Sequence, residues 1–311
     1  MKLNLLFCTV AALAGPLLAE AKATINDVIS QLESSQSPLL QYPTQLTQNI
    51  VPKPIHSHND YWRDVPLLTA LSFGVVSVEA DVWLINGTLF VGHEQQALTS
   101  NRTFDSLYIQ PLLKVLAAQN PKNEFTVNIA SANGPFDTAG DIPLQLLVDI
   151  KTDGIEALPV ILEALQPLRS LGYLTTATNG TLKRSAVLVV GTGNSPLELV
   201  KELNPRDYFF DAPLTRLTDP SLNTTWDPTL SPLASDDYEV AVGWNGIGNI
   251  SNAQIANITK FVGDAHSRGI LARFWDTPGW PVHARDNVWR VLLDNGADWL
   301  NADDLEAAAN F

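Results

Sequence analysis

From Lys53 onward, short apolar runs of β character alternate with stretches of helical period, and this alternation constrains the fold more than any other feature of the chain. Strands separated by helices pair in parallel, because the crossover helix returns the chain to the same end of the sheet. Eight runs read as strands: Pro54 to His58, Val75 to Trp83, Leu144 to Ile150, Ser185 to Val190, Tyr208 to Asp211, Glu239 to Gly243, Ile270 to Trp275 and Asp298 to Asn301. Helical period appears over Leu107 to Ala118, Gly154 to Leu165, Leu197 to Leu203, Ala253 to Arg268 and Ala284 to Asn295. A hairpin extension, Leu89 to His93, follows the turn pair Asn86-Gly87, whose glycine accepts positive φ. Eight strands in roughly 260 residues predict a single (β/α)8 TIM barrel over 51–311, a fold of about 250 residues. A doubly wound sheet is the alternative. Its nucleotide-binding version is weakened because neither GxGxxG nor a Walker A pattern occurs.

The amino terminus reads differently. Lys2, the apolar run Leu5 to Leu18 and the small residues Ala19, Ala21 and Ala23 predict a secretory signal over residues 1–21 and an extracellular destination. The run is broken by Gly15 and Pro16 and is short of the ~20 apolar residues of a span. Cleavage after Ala21 removes Cys8, the only cysteine, so any metal must bind to oxygen or imidazole. Residues 22–50 are polar and Gln-rich, a lead-in or pro-region with one short helical stretch near Ile25 to Leu32. Sequons at Asn86, Asn101, Asn179, Asn223, Asn249 and Asn257 predict N-linked glycans and agree with a secretory route. No later segment reaches membrane-spanning length, so no stable insertion is expected. With 33 acidic residues against 19 basic ones, the formal charge is -14. That excludes a broad basic surface for nucleic acid and disfavours anionic membranes, leaving soluble or zwitterionic headgroups as compatible partners.

In a parallel barrel, reactive side chains collect at the carboxyl ends of the strands, where the βα loops form the mouth. Here those ends are polar: His56-Ser57-His58-Asn59-Asp60-Tyr61, Glu79-Ala80-Asp81, Gly92-His93-Glu94 and Asp149-Ile150-Lys151. Glu79 and Asp81 are two apart and share one face of a strand. Two inward carboxylates repel unless they share a proton or a hard cation, and Asp149 would complete an oxygen cage. An all-carboxylate set favours one divalent cation, Mg²⁺ or Ca²⁺, over zinc. The ion-free alternative is a salt-bridge network of Glu79, Asp81, Asp149 and Lys151. His58 and His93 are the natural acid/base pair, because imidazole exchanges protons near neutral pH. His56 reads as packing behind them, His266 as a helix-surface residue and His283 as the neighbour of a helix start. Trp83, Trp244, Phe274 and Trp275 near strand ends could form an aromatic wall for a choline-like cation or an acyl chain.

The series His58-Asn59, Glu79-X-Asp81, His93 and Leu146-Leu147-Val148-Asp149-Ile150-Lys151-Thr152 resembles the catalytic pattern of the phospholipase C-like phosphodiesterase superfamily. Within it, His56-Ser57-His58-Asn59-Asp60-Tyr61-Trp62-Arg63 and Ser77 to Leu84 are most similar to the fungal altered inheritance of mitochondria protein 6 family. Arg273-Phe274-Trp275-Asp276 and Asn295 to Asp303 are similar to the last two strands of those barrels. The resemblance implies a metal-dependent phosphodiesterase acting on a lipid headgroup or glycerophospho-type diester. It makes Glu79, Asp81 and Asp149 metal ligands, His58 and His93 the acid/base histidines and Lys151 the phosphate contact. Asn59 matches a ligand of the phosphoinositide branch; Trp275 is the substrate-side candidate as a member of the aromatic wall, not through the resemblance. The chain lacks the Arg-Gly and Glu-Asn-Thr elements of glycerophosphodiesterases and the cysteines of the sphingomyelinase D loop. Attack by water would give hydrolysis, and attack by a substrate hydroxyl would give a cyclic phosphate. Two rivals remain: a zinc amidohydrolase-type barrel opened by His56-X-His58, and an inactive barrel that binds glycans or lipid headgroups.

Overall fold

The computed structural model describes residues 24–127 and 131–311, so the predicted leader and Cys8 lie outside the described residues. The chain divides into two units, Met1–Tyr42 and Pro43–Phe311. In the first, helix α1 (Ile25–Ser34) starts at a reciprocal cap: Asp27 N–H donates to Thr24 Oγ1, and Thr24 N–H donates to the Asp27 carboxylate.

The second unit is a barrel of eight parallel strands: β1 (Lys53–Ser57), β2 (Val75–Ile85), β3 (Leu144–Ile150), β4 (Val187–Gly193), β5 (Phe209–Pro213), β6 (Leu233–Asp237), β7 (Leu271–Trp275) and β8 (Leu300–Ala302). Neighbours in the ring are neighbours in sequence, β1 also pairs with β8, and a bridge from Arg273 to Trp299 links the last two strands. The helices α2 (Gln110–Gln119), α3 (Gly154–Ala164), α4 (Leu197–Glu202), α5 (Asn252–His266) and α6 (Val282–Asp294) fall where the 3.6-residue period places them. Their apolar faces bury Leu112, Leu116, Leu158, Ile161, Ile258, Val262, Val288 and Leu292. These side chains share one core with the outward-facing Val78, Ala80, Val82, Leu146 and Val148 of β2 and β3. None of the described helices is long and apolar enough to cross a membrane.

One strand differs from the sequence reading. Glu239 to Gly243 is not β6: the strand is the more polar Leu233-Ala-Ser-Asp-Asp, and Tyr238–Ala241 is a short helix. The Asp237 side chain accepts from Val240 N–H and starts that helix, which carries the apolar Val240 out of the sheet. The carboxyl end of this strand is polar, so a hydrophobicity search steps past it. The lead-in also ends earlier than its composition implies. Thr47 is buried in the barrel unit, its hydroxyl donating to Pro135 O at 2.7 Å and accepting from Gln119 Nε2 at 2.9 Å.

The hairpin forms as read. Asn86 and Gly87 both take positive φ (51° and 79°), the conformation of a tight turn that matches strand twist, and β2 pairs antiparallel with Thr88–Val91. Inside the barrel, Leu147, Val190, Phe209 and Leu233 form a buried cluster against Leu188 and Trp299. The polar residues of the mouth stand on this plug. Leu147 is fully buried, so Leu147→Ala is expected to cost about 2–5 kcal/mol of unfolding free energy in urea. A loss below about 1 kcal/mol would mean that the interior layer does not bear on stability.

Candidate active site

At the end of β1 the chain turns sharply. Asn59 sits in the left-handed region (φ 49°, ψ 46°), which asparagine tolerates better than most residues, and its N–H donates to Glu79 Oε2 at 3.0 Å. The turn is tied down by buried Asp60, whose carboxylate accepts from Ser57 Oγ (2.8 Å) and Leu67 N–H (2.7 Å). The next residues place Tyr61 Oη 2.7 Å from Asp81 Oδ2, against Asn59 Oδ1 and 3.2 Å from His93 Nδ1.

The pairing of β2 with β3 sets Asp81 beside Asp149, one step beyond Glu79 beside Leu147. Glu79, Asp81 and Asp149 thus offer oxygens that all lie within 4.8 Å of one another. Lys151 Nζ bridges two of them, 3.0 Å from Asp81 Oδ2 and 3.1 Å from Asp149 Oδ2. Room for Asp149 depends on Gly193, where a Cβ would stand 2.1 Å from Asp149 Oδ1.

The electrostatics follow from the crowding. Burial alone would raise all three acids. At Glu79 the contacts with His56, Arg273 and His58 overcome it and hold the carboxylate ionised, well below its ordinary range. Asp81 is pushed up to about 6 by burial and by the charges of Glu79 and Asp149, with Lys151 pulling the other way. Asp149 is raised by burial and by Glu79, again opposed by Lys151.

His58 Nδ1 lies 3.0 Å from Asp303 Oδ1, and Nε2 is 3.8 Å from Glu79 Oε2. Burial lowers its pKa, but the Asp303 hydrogen bond and the Glu79 and Asp303 charges outweigh that and raise it. His93 Nδ1 is 3.2 Å from Asp81 Oδ2, and the Trp62 ring meets the imidazole edge-on. His56 is a different kind of residue. It is fully buried, burial and Arg273 depress its pKa to about 3, and its Nδ1 bonds Ser77 Oγ at 2.7 Å. Ser77 Oγ in turn accepts from Gln145 Nε2, so a neutral polar chain runs beneath Glu79.

One cavity of about 450 Å³ at the barrel mouth is bordered by His58, His93, Glu79, Asp81, Asp149, Asn59, Lys151 and Trp275, all eight residues the sequence nominates. The aromatic wall reduces to Trp275. Trp244 and Phe274 belong to the apolar core, and the Trp83 indole N–H donates to Gly92 O at 2.7 Å. The zinc reading loses its further ligands: His266 pairs with Asp298 at 2.8 Å from α5, and His283 lies in the first turn of α6. Sequence reasoning left four residues without a role here. Arg273 borders the cavity, Gly193 lies under Asp149, Asp303 holds His58 and Tyr61 holds Asp81. Tyr61, Arg273 and Asp303 stand inside the quoted motifs, so their only signal was the motif itself.

Residues 44–211 match the family model of the AIM6-like phosphodiesterase domain, a span that holds every acid and histidine of the cavity. Among curated proteins, the chain is 42% identical to an altered inheritance of mitochondria protein 6 homolog of Arthroderma benhamiae, over 97% of this chain and 96% of that protein. It is 38% identical to altered inheritance of mitochondria protein 6 of Eremothecium gossypii (83% and 69% covered) and 29% to that of Saccharomyces cerevisiae S288c (86% and 72%). No solved structure matches.

Gly193 has φ 62°, so Gly193→Ala adds backbone strain to the contact with Asp149. It is expected to lower unfolding free energy by about 1–3 kcal/mol in urea. The helical Gly263, where a Cβ would meet nothing within 4 Å, serves as control: Gly263→Ala should be neutral or stabilising by up to about 1 kcal/mol.

Proposed function

The chain belongs to the AIM6-like phosphodiesterase family, and on that premise we propose that it is a divalent-cation-dependent phosphodiesterase with His58 and His93 as its proton-transfer pair. The observation that carries this reading is the convergence of three carboxylates between two imidazoles in one cavity. The donor set suits a hard cation: it is all oxygen, and Asp149 Oδ1 is buried with no hydrogen-bond partner. Glu79, Asp81 and Asp149 would hold Mg²⁺ or Ca²⁺, with Asn59 Oδ1 as the adjacent amide oxygen. When bound, such an ion supplies positive charge against the phosphoryl oxygens, where negative charge builds during diester cleavage.

The protein's own groups do the rest. Asp303 fixes the His58 ring through Nδ1, and Asp81 fixes the His93 ring in the same way, so each imidazole has its Nε2 left for a proton. One ring takes the proton of the attacking hydroxyl, and the other gives a proton to the leaving oxygen. Lys151 spends two N–H groups on Asp81 and Asp149 and has a third for a non-bridging phosphate oxygen. Trp275, 37% exposed at the rim, offers an apolar face to the alcohol portion of the substrate. A small or zwitterionic lipid diester suits a chain of net charge -14. The secretory assignment is part of the same proposal. All six sequon asparagines are exposed, and Asn86, Asn179 and Asn223 occupy positive-φ turns that a glycan can reach.

His58→Ala and His93→Ala are each expected to reduce turnover of a chromogenic phosphodiester about 10²–10⁴-fold in Mg²⁺ or Ca²⁺. Unchanged turnover in either variant would overturn its assignment. Chelation should abolish turnover, and Mg²⁺ or Ca²⁺ should restore it; restoration by zinc alone would revive the amidohydrolase-type reading. Phosphorus NMR of a phospholipid panel separates hydrolysis from cyclisation, and binding without any product would favour the inactive barrel.

A further inference from the structure

We propose that Arg273 contacts the substrate phosphate directly and selects for it, a second cationic group of the site whose role rests on the phosphodiesterase reading above. Arg273 lies on β7 with only 3% of its surface exposed, yet it borders the mouth cavity. Its Nε donates to Asn301 Oδ1 at 3.0 Å, and Nη1 reaches Ser235 Oγ at 3.4 Å. The nearest carboxylate oxygen paired with it, Glu79 Oε1, is 3.9 Å from Nη2, too far for a hydrogen bond. A guanidinium carries five N–H groups and stays charged in any protein environment. Among the described residues, three of the five therefore have no acceptor at bonding distance.

Lys151 shows the contrast. Its ammonium is 3.0 and 3.1 Å from two carboxylates, so its charge is already committed inside the protein. The hydrogen bonds of Arg273 go to two neutral oxygens, which aim the fork before any ligand arrives, while the carboxylates that feel its charge, Glu79 and Asp211 among them, make no hydrogen bond to it. A planar fork with free Nη edges matches two oxygens of one phosphate, which a point-like ammonium does not. The placement is also right for chemistry: Arg273 Nη2 approaches one oxygen of Glu79, and His58 Nε2 approaches the other. A diester that reaches His58 therefore comes within range of the guanidinium.

The test compares Arg273→Gln and Arg273→Lys with the unaltered full chain in three measurements: kcat and KM on a phosphodiester, competition by inorganic phosphate, and Mg²⁺ or Ca²⁺ affinity by calorimetry. Arg273→Gln is expected to lose about 10²-fold in kcat/KM and most phosphate competition, while cation affinity does not fall. Arg273→Lys, which keeps charge and length, guards against a folding failure and should recover no more than about ten-fold. Cation affinity that falls in step with kcat/KM would overturn the proposal, because Arg273 would then act only by positioning Glu79. Phosphate competition unchanged in either variant would overturn it too. An unaltered chain with neither turnover nor phosphate competition would instead overturn the phosphodiesterase reading, and this inference with it.

Discussion

Three carboxylates face one another at the mouth of this barrel, two of them almost completely out of water, and their mutual repulsion governs what surrounds them. Like charges at such distances in a poorly solvated site cannot all ionise without compensation. The compensation is built from every side. Asn59 N–H and His56 stabilise Glu79 as an anion, Tyr61 and His93 meet Asp81, and Lys151 ties Asp81 to Asp149. Burial first, and then the neighbouring carboxylate charges, still push Asp81 and Asp149 upward, and Asp149 Oδ1 has no hydrogen-bond partner. Three carboxylates whose oxygens lie within 4.8 Å of one another, one oxygen being without a partner, could hold a metal ion.

The barrel converts this electrostatic demand into a fixed geometry. Its interior is plugged by Leu147, Val190, Phe209 and Leu233, so the acids stand on a rigid apolar base and open to one side only. Parallel register then brings Asp81 level with Asp149. The βα loops deliver the rest: the left-handed turn at Asn59 carries His58 and Tyr61 over Glu79 and Asp81, and the hairpin at Asn86-Gly87 returns the chain to place His93 opposite. Both histidines are oriented through Nδ1 by carboxylates of other segments, Asp303 and Asp81. An imidazole held in this way presents one defined nitrogen to the cavity.

Much of this was legible locally. Seven of the eight strands lie where short β-rich runs place them, because residues buried on both faces must be apolar whatever their partners. The failure at β6 has the complementary cause. Leu233-Ala-Ser-Asp-Asp has only two apolar residues in five because its carboxyl end is used for anchoring, Asp236 accepting from Thr215 and Asp237 capping the next helix, whereas Val240 and Val242 belong to the short helix and loop beyond it. The aromatic reading failed for a related reason. Period two states that Phe274 and Trp275 face opposite ways but not which way is inward, and the barrel put Phe274 into the outer core and Trp275 at the cavity.

Chain-local physics, in the form of periodicity, turn chemistry and the two-residue spacing of Glu79 and Asp81, determined the architecture and nominated the acids and histidines. Only the closed barrel decided that Asp149 joins them, that Asp303 orients His58 and that Arg273 enters the cavity from the far side of the ring. These relations join residues widely separated in the chain. Such distances are set by strand register and ring closure, which no single segment encodes, and the charge balance of the site is the sum over all of them.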